Sequence, residues 1–373
     1  MQLLLSGARR GRLPTGLLAR GGRLPGALLA ALVLAAVPAC AAALVPAGAA
    51  AAPWIGVRGN HLVDRAGDPV QLRGVNRSGS EYACQQGWGF FDGPATMASI
   101  RAMKSWHVNS VRVALNETCW LGISGIAPNL GGAAYRAAIH AYVSKLERAG
   151  LYVILNLELA APGEEQATSI PPMADADHAP DFWRGVAAEY KGDRAVLFDL
   201  YTEPHDIGWA CWEHGCQVEA EEVGSYRAAG MAELVAAVRS TGARQPVLLG
   251  GLDWSRNLDG WLAHLPPDPA HAEVASNHTY DFAACAGGCR ATLAGIARRY
   301  PVVSGEIGEG DCGDSYIDPY MDWADRHGVS YLAWAWDAGG GWTCDGGPTL
   351  IENYDGAPTP FGAGFREHLR EVG

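Results

Sequence analysis

From residue 72 onward, short apolar runs rich in β-branched residues alternate with longer amphipathic ones, eight of each in strict order. The candidate strands are 72–76, 110–115, 151–158, 195–203, 246–252, 273–280, 302–307 and 329–336. Helical periodicity occupies 94–106, 133–149, 180–191, 219–241, a short stretch at 257–264, 290–300, 316–327 and 361–370. The strands read as apolar throughout, as a parallel sheet covered on both faces requires. Eight β/α units in order close most simply into a (β/α)8 barrel, and one such barrel fills a chain of 373 residues without a second domain. A doubly wound sheet is the runner-up fold, yet no Gly-rich phosphate loop follows the first strand.

The N-terminal region reads differently. Residues 1–23 are Arg-rich and free of acids, an apolar run extends from Leu24 to about Pro46, and small residues follow at 47–53. This pattern predicts a secretory leader over residues 1–50 and one catalytic domain over 54–373. A retained membrane anchor is the rival, weakened by Pro38 and Pro46 within the run. Cys40 is a candidate for lipid attachment, although Val37-Pro38-Ala39 matches the required context poorly. Eight cysteines remain after the leader, an even number that in an exported chain predicts disulfides. Spacing alone does not fix connectivity; the expected pairing is sequential, 84–119, 211–216, 285–289 and 312–344. The formal net charge is −12, and the leader contributes only positive charge, so the body is more acidic still. Such a body repels phosphate backbones and anionic lipid, which argues against nucleic-acid or membrane partners and for a neutral substrate.

A barrel of this kind places its chemistry at the C-terminal ends of the strands. The polar residues found there are Asn76, Arg112, Glu158, Glu203, Asp253, His278, Tyr280 and Glu306, with Trp334 and Trp336 closing the last strand. A charge at the mouth of an apolar strand is costly unless paired or used. Two carboxylates, Glu203 after strand four and Glu306 after strand seven, are the set needed for retaining glycoside hydrolysis: one acid/base and one nucleophile. Arg112 is the candidate cation that keeps the nucleophile ionised. Trp88, Trp120, Trp209, Trp212, Trp254 and Trp342 fall in loops after strands, where rings can stack on sugar faces. His205, Asp206 and His214 lack an interpretable metal spacing. The loop holding Asp311 and Asp314 is a weak calcium candidate. No metal or cofactor is expected.

At these positions the chain resembles glycoside hydrolase family 5, the cellulase-type retaining barrels, and most of all its secreted actinobacterial members. The resemblance covers about 54–369 and rests on LRGVNRSGSEY (72–82), VNSVRVAL (108–115), GLYVILNLELAAPG (150–163), FDLYTEPH (198–205), SNHTY (276–280), VVSGEIGE (302–309) and YLAWAWD (331–337). It implies Glu203 as acid/base and Glu306 as nucleophile. It also implies Arg112, His278 and Tyr280 as supports, and Trp334 as the floor of the cleaved sugar, with Trp336 its competitor. Two departures stand out. Thr202 occupies the place of the family's Asn before the acid/base, and Glu158 falls where a His is usual. Both are therefore candidate specificity positions.

The expected activity is endo-β-1,4-glucanase, with a β-linked polysaccharide as partner, a monomeric enzyme and a secreted location. The same mechanism on mannan, chitosan-like or glycolipid glycans is the alternative. A catalytically weakened carbohydrate-binding barrel is the rival from another class.

Overall fold

The computed structural model describes residues 53–283, 289–338 and 347–373. Eight parallel strands close into a barrel: β1 (Arg73–Arg77), β2 (Ser110–Asn116), β3 (Tyr152–Leu159), β4 (Val196–Asp199), β5 (Val247–Gly250), β6 (Glu273–Tyr280), β7 (Val302–Gly308) and β8 (Ser330–Ala333). Each pairs with the next in chain order, and β8 returns to β1 through Leu332 opposite Gly74. The main surrounding helices are α1 (Met97–Ser105), α2 (Ala133–Arg148), α3 (Ala179–Tyr190), α4 (Met231–Ser240), α5 (Cys289–Ala297), α6 (Ile317–His327) and α7 (Pro360–Val372). The (β/α)8 expectation is met, and the doubly wound alternative is excluded by barrel closure.

Side-chain alternation along each strand builds two apolar layers and one polar one. Val75, Val111, Val153, Phe198, Leu249 and Tyr331 point outward into the core between sheet and helices. Inward, Leu72, Ile154, Leu197, Leu248, Val274, Val303 and Leu332 fill the N-terminal end of the barrel. Ile55 and Leu62 join this layer from a short hairpin, Gly56–Arg58 with His61–Val63. Further along the strands the inward positions become Asn76, Arg112, Asn156, Asp199 and Ser276, all buried. The apolar plug therefore supports a polar floor, and the site stands on that floor.

Two sequence expectations fail locally. The helix expected over 219–241 begins only at Met231. Before it, Cys216–Ala220 and Gly224–Ala228 form an antiparallel hairpin. Its side chains alternate: Val218 and Tyr226 are cross-strand partners facing inward, while their neighbours are more exposed. The Cys211–Cys216 disulfide anchors one strand. The turn ends at Gly224 with φ of 73°, a left-handed conformation that glycine adopts freely. The short helix expected at 257–264 is instead a turn at Leu252–Ser255 and a 3-10 turn at Trp261–Ala263.

Cys84–Cys119 and Cys211–Cys216 are paired as expected. Cys289 and Cys312 are also disulfide-bonded, while Cys285 and Cys344 lie outside the described residues, as do the leader with Cys40, and Trp342. Among the described residues no helix is long and apolar enough to cross a membrane.

Candidate active site

Arg112 is the centre of the polar floor. Fully buried on β2, its Nε donates to Asp199 Oδ2 at 2.8 Å, and its Nη1 donates to Glu306 Oε1 at 2.8 Å and to Asn76 Oδ1 at 2.9 Å. Its Nη2 reaches Thr202 Oγ1 at 3.2 Å. Burial alone would lower its pKa, but Asp199, Glu306 and Glu158 outweigh it and hold the guanidinium firmly charged. One cation thus serves three carboxylates, with Glu158 the most distant at 3.7 Å.

Glu306 reaches the interior because β7 carries a bulge. Asn277 pairs with Ser304 and His278 with Glu306, so Gly305 is an extra residue against β6. Bulges re-aim side chains in this way. A Cβ on Gly305 would stand 3.1 Å from His278 Nε2, so a glycine suits the close approach. Tyr280 Oη donates a short hydrogen bond to Glu306 Oε2. Burial and the Glu306 charge hold the Tyr280 phenol well above its usual range, so it remains a donor.

Glu203 lies four residues beyond Asp199, where regular β4 pairing has ended. Its φ of 52° places it in the left-handed region, which is unfavourable for a residue with a Cβ and is held by its surroundings. The flanking Thr202 N–H bonds Leu157 O at 3.1 Å, and His205 N–H bonds Pro172 O at 3.0 Å. His278 Nδ1 lies 3.0 Å from Glu203 Oε1 and 3.5 Å from Glu306 Oε2. Burial pulls the imidazole pKa down, and the charges of Glu306 and Glu203 more than reverse it. One ligand atom each from Glu203, His278 and Glu306 lie within 4.8 Å of one another. This trio could also hold a cation, and among the described residues it is the grouping of three such side chains that comes this close.

Glu158 ends β3 beside the pair, 6 % exposed. Its Oε2 accepts from Asn156 Nδ2 at 2.9 Å. Burial, helped by Glu306 and opposed by Arg112, pushes its pKa up to about 7. Two cavities of about 350 and 400 Å³ meet at Glu158, Trp334 and Pro348. The first runs past Glu81, Tyr82 and Asp337; the second contains Glu203, His278, Tyr280 and Glu306, with Trp254 and Phe282 on its rim. The barrel mouth is an elongated cleft with the acidic pair along its length.

Residues 63–340 match the sequence profile of cellulase, glycosyl hydrolase family 5. The chain belongs to that family. It is 24 % identical over 292 residues to endoglucanase E-5 of Thermobifida fusca, covering 74 % of this chain and 54 % of the relative. It is 26 % identical over 300 residues to a mannan endo-1,4-β-mannosidase of Streptomyces lividans, covering 78 % and 68 %. The chain spans about half the length of the endoglucanases from Thermobifida fusca and Microbulbifer that it matches. Among solved structures, the β-glucanase SdGluc5_26A from Saccharophagus degradans, in complex with cellotetraose, superposes with a TM-score of 0.65 at 20 % identity, over 86 % of this chain and 94 % of that one.

Within this family 5 barrel, Arg112, Glu158, Thr202, Glu203, His278, Tyr280, Glu306 and Trp334 gather in and beneath the cleft, while several of the tryptophans singled out by sequence do not. Trp334 lines both cavities, but Trp336 is fully buried in the outer core, edge-on to Trp106 at 4.8 Å between ring centroids, with Nε1 bonded to Ser99 Oγ. Trp336 is therefore no competitor of Trp334 for the sugar floor, because β8 ends at Ala333. The alternation stops there and Trp336 turns out of the barrel. Trp120 and Trp212 are likewise core residues rather than cleft platforms. Trp254 does reach the cleft. Asp253, Trp254 and Ser255 all have positive φ, and the Trp254 ring stacks on His205 at 3.6 Å while remaining 40 % exposed. Sequence reasoning missed Asp199, Glu81 and Asp337. The inward position of Asp199, two residues past Leu197 on β4, was the available signal.

Proposed function

We propose that the chain is a secreted, retaining endo-β-1,4-glucanase, with Glu203 as acid/base and Glu306 as nucleophile. The observation that carries this reading is the approach of Glu203 and Glu306 to within 4.8 Å across one imidazole. Retaining enzymes hold their carboxyls about 5–5.5 Å apart, whereas inverting ones need about 6.5–9.5 Å to admit a water. In the first step Glu203 protonates the glycosidic oxygen while Glu306 attacks the anomeric carbon, giving a covalent glycosyl-enzyme and a free chain end. In the second, Glu203 takes a proton from water, which displaces Glu306 from the anomeric carbon with net retention. Arg112 and Tyr280 hold the Glu306 carboxylate in line, each on a different oxygen.

The cleft extends on both sides of the pair, which suits cleavage inside a polymer rather than at its end. The names of the relatives point the same way: endoglucanases, and a β-glucanase solved with cellotetraose. A mannan backbone is the second reading, favoured by the likeness to the Streptomyces lividans mannosidase. The disulfides suit an oxidising compartment outside the cell.

The test is the anomeric configuration of the first product, followed by NMR on soluble β-glucan and mannan, together with Glu203→Gln and Glu306→Gln. The expected result is a β-anomer product, with turnover lost in both variants and the fold intact by circular dichroism. An α-anomer product, or turnover surviving in Glu306→Gln, overturns the assignment. Binding of glycans with no hydrolysis would mark the rival carbohydrate-binding barrel.

A further inference from the structure

One half of the cleft is short of positive charge. The cavity leading from Trp334 past β1 is lined by three carboxyls, Glu81, Glu158 and Asp337, and by no Lys, Arg or His among the described residues. Nearby cations are committed elsewhere. Arg77 pairs with Asp92 at 2.7 Å, and Arg112 serves Asp199 and Glu306 at 2.8 Å, with Glu158 behind them. Glu81 Oε2 accepts from the Gly79 N–H at 2.6 Å, and Asp337 Oδ1 from Tyr354 Oη at 3.0 Å. Glu158 stands apart. It is more than nine-tenths buried and sits where the two cavities meet. Its Oε2 takes the Asn156 amide, while its Oε1 has no donor among the described residues.

We propose that this half of the cleft binds a protonated amine, the 2-ammonium group of a β-1,4-linked 2-amino-2-deoxy-glucan, with Glu158 as its main acceptor and Glu81 and Asp337 as the acidic wall facing neighbouring units. This inference rests on the glycosidase reading and narrows its substrate. A hydroxyl both donates and accepts, so it gains little from a wall of acceptors. An ammonium carries three donors and no acceptor, and its hydrogen bonds to carboxylates are charge-assisted. Burial, opposed at Glu158 by the more distant Arg112, holds the carboxyls of Glu158 and Glu81 above their usual range; an arriving ammonium adds the charge that draws their protons off and leaves carboxylates as its acceptors. A metal ion fits less well. Glu81, Glu158 and Asp337 are too dispersed to share one ion, since only the catalytic trio converges that closely among the described residues. A polymer with an amine on each unit matches acids spaced along a groove.

The test is calorimetric titration of the Glu306→Gln chain at pH 6 with the β-1,4 glucosamine tetramer and with cellotetraose, alongside wild-type turnover on both. The expected result is roughly tenfold or more tighter binding of the amine tetramer, equivalent to about 1.4 kcal/mol. That preference should shrink in 0.5 M salt and fall toward unity when Glu158→Gln or Glu81→Gln is added. Equal or weaker binding of the amine tetramer overturns the proposal, as does a preference untouched by both substitutions. Cleavage of cellotetraose without amine preference overturns this inference and leaves the glycosidase reading standing. Absence of turnover on every glycan overturns that reading, while the binding ratio still decides this one.

Discussion

Asp199 and Arg112 form a buried ion pair, Oδ2 to Nε at 2.8 Å, and the same guanidinium extends to Glu306 Oε1 at 2.8 Å. Asp199 never touches Glu306, yet it fixes the group that does. Asp199→Asn keeps a hydrogen-bond acceptor for Nε and removes the charge. We expect kcat/KM to fall about 10–100-fold, the range seen when a supporting partner of a site residue is removed. The loss should fall on kcat more than on KM, because Asp199 acts only through the support of Glu306, the proposed nucleophile. Steady-state kinetics with melting temperatures alongside checks it, and a lower melting temperature with kcat unchanged would reduce Asp199 to a purely structural role.

The two tryptophans of the YLAWAWD segment should separate cleanly. Trp334 lines the cleft and is only partly buried, so Trp334→Ala should cost kcat/KM while leaving the melting temperature near wild type. Trp336 packs on Trp106 in the outer core, so Trp336→Ala should cost about 3–5 kcal/mol of stability. Paired denaturation and kinetic measurements on the two variants decide it. The reverse pattern would mean that the rings have been assigned to the wrong sides of the barrel wall.

Stability should decline as pH rises from about 5 to 8. Burial, with Glu306 adding to it, raises Glu158 from 4.5 in the unfolded chain to about 7, so the fold retains a proton that the unfolded chain has released. Across that window the unfolded state binds fewer protons, and unfolding becomes easier with increasing pH. Glu117 acts in the same direction: it is fully buried against Asp175, and both its oxygens lack a donor unless the two acids share a proton. His278, also raised, contributes stability that is fully present below its unfolded pKa of 6.5 and lost as pH passes its folded value. At the acid end, Asp268 and Asp325 are lowered through hydrogen bonds and ion pairs with Arg239, Arg73 and His368, so their contribution is lost only as pH falls below the usual aspartate range. Melting curves from pH 4 to 8 should show the decline. Glu117→Gln, whose amide can donate to Asp175 at any pH, should flatten it and raise the melting temperature at pH 8. A melting temperature that climbs between pH 5 and 8 contradicts this account.

The barrel was legible because its strands are buried on both sides. Runs such as LYVILNLE carry a signal that no exposed strand would give, and eight in order leave few topologies. Glu203 and Glu306 were legible for a related reason, since an acid closing an apolar strand is costly enough to demand a purpose. What stayed hidden depends on register and tertiary contact. Asp199 lies within FDLYTE as one more strand residue until inward and outward faces are known. Glu81 sits in a loop with no periodicity to mark it. The expected helix 219–241 overlaps a hairpin because its acidic and small residues suit a helix, whereas a disulfide and the Val218–Tyr226 pair decide the local structure. The side to which Trp336 turns depends on β8 ending at Ala333, which the apolar run YLAWAW does not mark.

The Cys84–Cys119 bridge ties the loop after β1 to the short helix Glu117–Leu121 after β2, across 35 residues. The cleft residues Glu81 and Tyr82 lie just before Cys84, so this bridge also braces one wall of the groove. A loop of this length should lose about 4 kcal/mol when the bridge is removed, against about 2 kcal/mol for the short Cys211–Cys216 loop. Cys84→Ser with Cys119→Ser should therefore melt well below Cys211→Ser with Cys216→Ser. The first double variant should also raise KM more than it lowers kcat, because the loosened wall belongs to substrate binding while Glu203 follows β4 and Glu306 sits on β7. Chemical denaturation and steady-state kinetics on both double variants test the two halves separately. Equal destabilisation would tell against the loop-length argument, and an unchanged KM would detach the bridge from the cleft.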